Sequence, residues 1–189
     1  TGVFNAGCFV TNTLVRDCAF SRESDAVIGR YSSNFEPMPS EFVNCTFVAN
    51  KGNFFSGTTN IVSVNCAYFD NTNRSGKASA VSFYSARANN PTVTFDTCAF
   101  GPLAAAVGTL NGSALQIGVS PGFAAGREHY ESEPYYAPRT GSVLRGKGKL
   151  LNFTTDDLDL AGRPRLRDGK IDIGCYQAVP LPGLMLMLK

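Results

Sequence analysis

The phrase Phe42-Val43-Asn44-Cys45-Thr46-Phe47-Val48-Ala49-Asn50 returns almost unchanged as Val62-Ser63-Val64-Asn65-Cys66-Ala67-Tyr68-Phe69-Asp70-Asn71, and more loosely around Cys18 and Cys98. Aligned on cysteine, the preceding residue is Asp17, Asn44, Asn65 or Thr97, each able to bond nearby backbone at a turn. Two places after the cysteine stands Phe20, Phe47, Tyr68 or Phe100. In a strand those two positions share a face, so thiol and ring point the same way. Five places after it, Asn50 and Asn71, with Glu23 in the first copy, mark the end of the strand. The steps from Cys18 to Cys45 and from Cys45 to Cys66 fall in the roughly 20–30-residue range of solenoid repeats, which bury a core only by stacking.

Stacking gives the spacing a reason. If each repeat is one coil of a parallel β-helix, equivalent residues lie about 4.8 Å apart along the axis. Thiols then stack on thiols and rings on rings in the interior, while an asparagine ladder at the corner satisfies backbone groups that the turn leaves unpaired. The unequal intervals become outward loops, with 30–40 and 71–77 reading as such loops from their turn-rich, polar composition. An antiparallel sandwich also shows short strands between turns, but it has no reason to repeat Asn-Cys-x-aromatic in register.

At 189 residues and 43% hydrophobic content the chain has the length and the apolar material for one domain. Only 17% of residues are charged, and Gly, Ser, Thr and Asn are abundant, a balance typical of extracellular all-β proteins. A net charge of +2 gives no expectation of a nucleic-acid partner. The local basic cluster Arg163, Arg165, Arg167 and Lys170 lies among glycine, proline and aspartate and reads as a solvated loop. No run approaches the roughly 18 apolar residues of a membrane span. The six cysteines show no CxxC spacing, and His129 is the only histidine, so buried free thiols are expected, with no metal and no cofactor. Thr1 leads almost directly into a coil phrase, so any export signal is expected to have been removed or to lie upstream, and more chain or a protein partner is expected to cover the first coil.

From residue 115 the repeat stops, and a terminal coil needs an atypical segment to cover its sheet edge. Within this segment, Asp159-Leu160-Ala161-Gly162-Arg163-Pro164-Arg165 followed by Asp168-Gly169-Lys170-Ile171-Asp172-Ile173-Gly174-Cys175-Tyr176-Gln177 resembles the D-x-x-G-x-P-R … D-G-x-x-D-I-G-A-Y-E ending of bacterial right-handed parallel β-helix proteins with a choice-of-anchor Q domain. Ser120-Pro121-Gly122-Phe123 is similar to that family's D-P-x-F, and Ala137 to Ser142 to its L-x-x-x-S-P segment. Cys175, Gln177 and Ser120 depart from the family's Ala, Glu and Asp. The resemblance implies a pectin-lyase-like fold and a secreted or cell-surface bacterial protein, and fold likeness carries no activity with it. The expected architecture is therefore all-β, a right-handed parallel β-helix with a C-terminal capping segment. Coils occupy 1–114, the last coil and cap 115–177, and an apolar tail 178–189, which either tucks against the cap or docks to a partner.

Parallel β-helices often act on polysaccharides, so enzymatic readings must be tested against residues. A lyase needs a base beside cations that neutralise the substrate acid. The best local supply is Arg74, Lys77, Tyr84 and Arg87 with Asp70, although no carboxylate cluster suited to Ca²⁺ accompanies them. A glycosidase needs two facing carboxylates, whereas Asp156 and Asp157 are adjacent and fit the start of a turn. His129, flanked by Glu128 and Glu131, lacks a nucleophile elbow. Tyr130, Tyr135 and Tyr136 could stack on sugar rings, or could pack the cap onto the last coil. N-x-S/T matches at Asn44, Asn73, Asn111 and Asn152 are expected by chance in such a composition, Asn44 being a ladder residue. The expectation is an exported scaffold that contacts polysaccharide or surface glycan without a clear catalytic constellation. A polysaccharide lyase and a subunit of a larger extracellular assembly are the alternatives.

Overall fold

In a computed structural model the chain is described over residues 2–5, 7–16, 18–19, 26–29, 39–56, 60–73, 75–77, 83–84, 93–102, 111–123 and 136–178. No helix occurs among these residues. The strands follow in triplets: β1 (Gly2–Asn5), β2 (Phe9–Thr11) and β3 (Leu14–Arg16); β4 (Ala26–Gly29), β5 (Ser40–Val43) and β6 (Thr46–Val48). The next are β7 (Asn53–Ser56), β8 (Ile61–Val64) and β9 (Ala67–Phe69); then β10 (Phe83–Tyr84), β11 (Val93–Asp96) and β12 (Ala99–Phe100), with β13 (Asn111–Ser113) last. Each triplet sends one strand to each of three sheets, ordered β1-β4-β7-β10, β13-β11-β8-β5-β2 and β12-β9-β6-β3. Every pairing between these strands is parallel, and each unites strands of successive passes of the chain.

Register places Val15, Phe47, Tyr68 and Phe100 in one column. The Phe47 and Tyr68 rings are 4.9 Å apart and those of Tyr68 and Phe100 5.2 Å apart, both pairs stacked at 8°. A second column, Val10, Phe42, Ser63 and Phe95, runs beside it. Its phenyl rings meet the first column edge-on, Phe42 against Phe47 at 5.8 Å and Phe95 against Phe100 at 5.0 Å. Edge-to-face and offset contacts are the arrangements that aromatic quadrupoles favour. Together with the buried thiols of Cys45, Cys66 and Cys98, these side chains form the inner core.

The cysteine column differs from the expected alignment in its first member. Backbone bonds carry the rung from Thr13 to Cys45, Cys66 and Cys98, through Thr46 N to Thr13 O, Ala67 N to Cys45 O and Ala99 N to Cys66 O. The first copy of the phrase is therefore Asn12-Thr13-Leu14-Val15, and Cys18 lies a rung further on, level with Asn50 and Asn71. What defines the phrase is backbone shape. Asn12, Asn44, Asn65, Thr97 and Ala114 have φ of 47°, 53°, 54°, 53° and 50°, the left-handed bend that redirects each strand into the next sheet. Asparagine tolerates that region better than most residues, which is why it dominates the position. Asp17 and Phe20, which the cysteine alignment would have placed here, lie outside the described residues.

Asn50 and Asn71 form a true inward ladder. The Asn71 amide oxygen accepts from Asn50 N and Asn50 Nδ2, each at 3.0 Å, while Asn71 Nδ2 donates to Phe47 O and Asn50 Nδ2 to Val15 O. Each side chain closes a corner of one pass onto its neighbour, so buried backbone groups find partners where the sheet ladder is interrupted. All six cysteines are free thiols, and Cys45, Cys66, Cys98 and Cys175 are buried.

Candidate functional site

The sheet β12-β9-β6-β3 is buried on both faces. Its inner side carries the ring column; its outer side presents Val48, Ala67, Phe69 and Ala99, which pack with Tyr136, Leu144 and Ile173. Runs such as Ala67-Tyr68-Phe69, apolar at consecutive positions, are what a doubly covered strand requires. Residues 136–178, most of which fall in the segment expected to cover the terminal sheet edge, pack along this outer side through Tyr136, Leu144 and Ile173.

Those contacts use the left-handed corners. Asn65 Oδ1 accepts Lys149 N at 2.7 Å and Asn65 Nδ2 donates to Lys149 O at 3.0 Å. Asn12 Nδ2 donates to Leu158 O at 3.0 Å, and Arg165 Nη2 donates to Asn12 Oδ1. Gly174 N donates to Asn65 O and Cys175 N to Thr46 Oγ1. The corner asparagines thus turn outward to hold the closing segment. Asn44, between two of them in the column, is 1% exposed and neither atom of its amide has a partner.

Within the segment, the acidic and basic residues fold the chain. The Asp159 carboxylate accepts from Ala161 N, Arg163 N and Gln177 N, and Gly162 at φ 75° completes its turn. Asp172 accepts from Gly146 N and Ala178 N, both at 2.6 Å. Asp168 (φ 50°) and Gly169 (φ 69°) form a two-residue turn with reciprocal bonds between Arg167 and Lys170. Positive φ at both central residues is the mark of a type I′ hairpin, and Asp-Gly is a favoured pair for it.

Arg165 corrects the sequence reading. Expected in a solvated loop, it is 0% exposed and is the largest fully buried side chain among the described residues. Its guanidinium donates to Gly174 O at 2.8 Å and Cys175 O at 3.0 Å besides Asn12, so it ties residues 174–175 of the closing segment to a corner of the sheets. Burial pulls its pKa below the ordinary value, with Asp159 nearby pulling the other way. Only a residue with several fixed donors can serve three acceptors at once, a role that sequence pattern cannot distinguish from a surface charge.

The turns at Gly146 and Asp168-Gly169 leave a cleft of about 500 Å³. Arg145, Arg167 and Lys170 supply its cations, and Asp168, Asp172 and Gln177 also line it. Arg167 is steered by a bond from Nη1 to Ala178 O at 2.8 Å. The Lys170 stem crosses Gly146, where an added Cβ would lie 3.1 Å from Lys170 Cδ. Gln177 is 1% exposed; its Oε1 accepts Asp172 N while its Nε2 has no hydrogen-bond partner. Only Arg167 and Lys170 of this cleft stood out in the sequence, in the basic cluster read as a solvated loop, because its residues come together through the hairpin at Asp168-Gly169 and the Asp172 staple to Gly146.

Searched against protein-family models, curated proteins and solved structures, the chain matches none of them. Function therefore has to be argued from its own residues.

Of the residues singled out from sequence, Asp70, Lys77, Tyr84, Tyr136, Asp156 and Asp157 are among the described ones. Lys77 is exposed on a turn organised by Asn73, whose Oδ1 accepts Ser75 Oγ and Lys77 N. Tyr84 stands opposite Ser56 in the pairing of β10 with β7. Asp70 is exposed at a left-handed corner, φ 53°. Arg74, Arg87, His129, Tyr130 and Tyr135 lie outside the described residues. Tyr136 is 7% exposed, with its ring edge-on to Phe123 at 5.0 Å, the packing alternative for that residue. Asp157 Oδ2 accepts Thr154 N and Thr154 Oγ1, closing the turn that contains Asp156. Among the described residues no group of three or more His, Cys, Asp or Glu is placed to hold a metal, and no helix is long and apolar enough to cross a membrane.

Proposed function

We propose that this chain is a right-handed parallel β-helix of the choice-of-anchor Q kind, exported to the cell surface or beyond, where it serves as a rigid scaffold that contacts polysaccharide. The observation that carries this reading is the recurrence of each strand position every third strand, in register, across three parallel sheets. Such a body is stiff because each pass is hydrogen-bonded to its neighbours and its interior is filled by stacked rings. The Asp159, Arg165 and Asp172 signature supports the family reading, since these three residues interlock the closing segment. A polysaccharide lyase remains the rival reading, with Lys77 its best described base.

The test uses the intact chain against immobilised pectin, alginate and glycosaminoglycans, while absorbance of an unsaturated product is followed. Retention on at least one acidic polysaccharide with no absorbance rise is the expected result. A rise that disappears in Lys77→Ala would replace the scaffold with the lyase. Retention on none of them would remove polysaccharide contact from the reading.

A further inference from the structure

We propose that the cleft between the 145–146 turn and the Asp168-Gly169 hairpin is a binding site for an acidic saccharide, held through its carboxylate. This inference rests on the polysaccharide-scaffold reading and gives it a location and a ligand class.

The cleft has the makings of a receptor for a singly charged, hydroxyl-rich ligand. Arg145, Arg167 and Lys170 outnumber Asp168 and Asp172 by one, so a monoanion neutralises it. Planar guanidinium groups match the two oxygens of a carboxylate. Arg167 is already aimed by Ala178 O, and Lys170 is braced across Gly146, so part of the ordering cost of binding is met beforehand. Asp172 has both oxygens committed to backbone N–H groups, which reduces its repulsion of an anion. Asp168, exposed at the hairpin tip, can accept hydroxyl protons from the sugar ring. A doubly charged hydrogen phosphate would bring one charge more than the cleft's excess, with a single hydroxyl for the same two carboxylates.

Gln177 supplies an independent indication. A buried amide nitrogen with no acceptor is costly, and such groups in folded proteins call for a partner. Its Nε2 lacks one in a residue that lines the cleft, while its Oε1 is fixed by Asp172 N. A ligand oxygen would satisfy it. The volume of about 500 Å³ lies within the range of small-molecule sites, about 300–1,000 Å³.

The experiment is calorimetric titration of the intact chain with oligogalacturonate, with the neutral galacto-oligosaccharide and with inorganic phosphate. Arg145→Glu, Lys170→Glu and Gln177→Glu are tested beside Lys51→Glu, an exposed lysine outside the cleft lining. Arg145 and Lys170 are exposed, so circular dichroism should show those two variants folded, while Gln177→Glu keeps the oxygen that Asp172 N uses. The expected result is oligogalacturonate binding weakened at least about ten-fold by each cleft variant, unchanged in Lys51→Glu, and absent for the neutral sugar. Oligogalacturonate binding that survives all three cleft variants would overturn the cleft and leave polysaccharide contact standing elsewhere. Phosphate or the neutral sugar binding as well as oligogalacturonate would overturn the ligand class. Failure of the unmodified chain to bind oligogalacturonate would overturn the cleft as a uronate site, while the immobilised-polysaccharide panel decides the broader reading separately.

Discussion

The Ser63 hydroxyl lies 2.6 Å from the Tyr68 hydroxyl, both fully buried. Ser63 is the one small member between Phe42 and Phe95 in its column, and Tyr68 the one hydroxylated ring between Phe47 and Phe100 in the other. The two exceptions occur in the same pass of the chain and answer each other, in volume and in hydrogen bonding.

Ser63→Ala is therefore expected to destabilise the fold by about 1–3 kcal/mol, because it leaves a buried phenol without this partner. Ser63→Ala combined with Tyr68→Phe should be more stable than Ser63→Ala alone. Urea unfolding midpoints of the two singles and the double give the coupling. Simple additivity would show that the pair does not act as a unit.

Arg165→Lys should release the closing segment before the inner core. One ammonium cannot reach Gly174 O, Cys175 O and Asn12 Oδ1 together, and loss of charge-assisted bonds costs about 1.5–3 kcal/mol each. The measurement is thiol labelling under native conditions, read by mass spectrometry. Cys175 is expected to become reactive while Cys66 stays protected. Equal labelling of both would mean that segment and core open as one.

Gly174→Ala adds a Cβ 2.7 Å from Thr46 Oγ1 at a residue with φ 103°. Thr46 cannot move away freely, since it accepts Cys175 N. A loss of about 1–3 kcal/mol is expected from the backbone strain alone. Adding Thr46→Ala should recover only part of it, because the clash goes but the strained φ stays. Full recovery in thermal unfolding would show that the steric contact was the whole effect.

Burial pushes the Cys175 thiol up from its ordinary value of 9.0 to about 12, and raises Cys45 and Cys98 as well. A thiol raised on folding favours the folded state while it remains protonated. That contribution is whole below pH 9.0, where the unfolded thiol is also neutral, and is lost progressively as pH rises towards about 12. Cys175→Ser, whose hydroxyl does not titrate there, should flatten the alkaline arm of the stability profile. A profile unchanged by that substitution would assign the alkaline loss to other groups.

The repeat alone was enough to bring thiol and aromatic onto one face and to suggest parallel passes, because side-chain alternation along a strand is a local property of the backbone. It misplaced the first copy, since Cys18 carries the right letter while Asn12 carries the left-handed bend that the corner requires. It also read Arg165 as a surface charge, as any arginine among glycines and prolines would be read. Whether that guanidinium meets water or protein acceptors depends on its segment folding back onto Asn12, 153 positions earlier in the chain. The cleft is likewise a product of tertiary structure: Arg145 reaches Arg167 and Lys170 only because Asp172 clasps Gly146. Local periodicity dictates which residues can share a face; the pairing of distant segments, driven by burial of the outer sheet face and by backbone groups seeking partners, decides which charges remain available for a ligand.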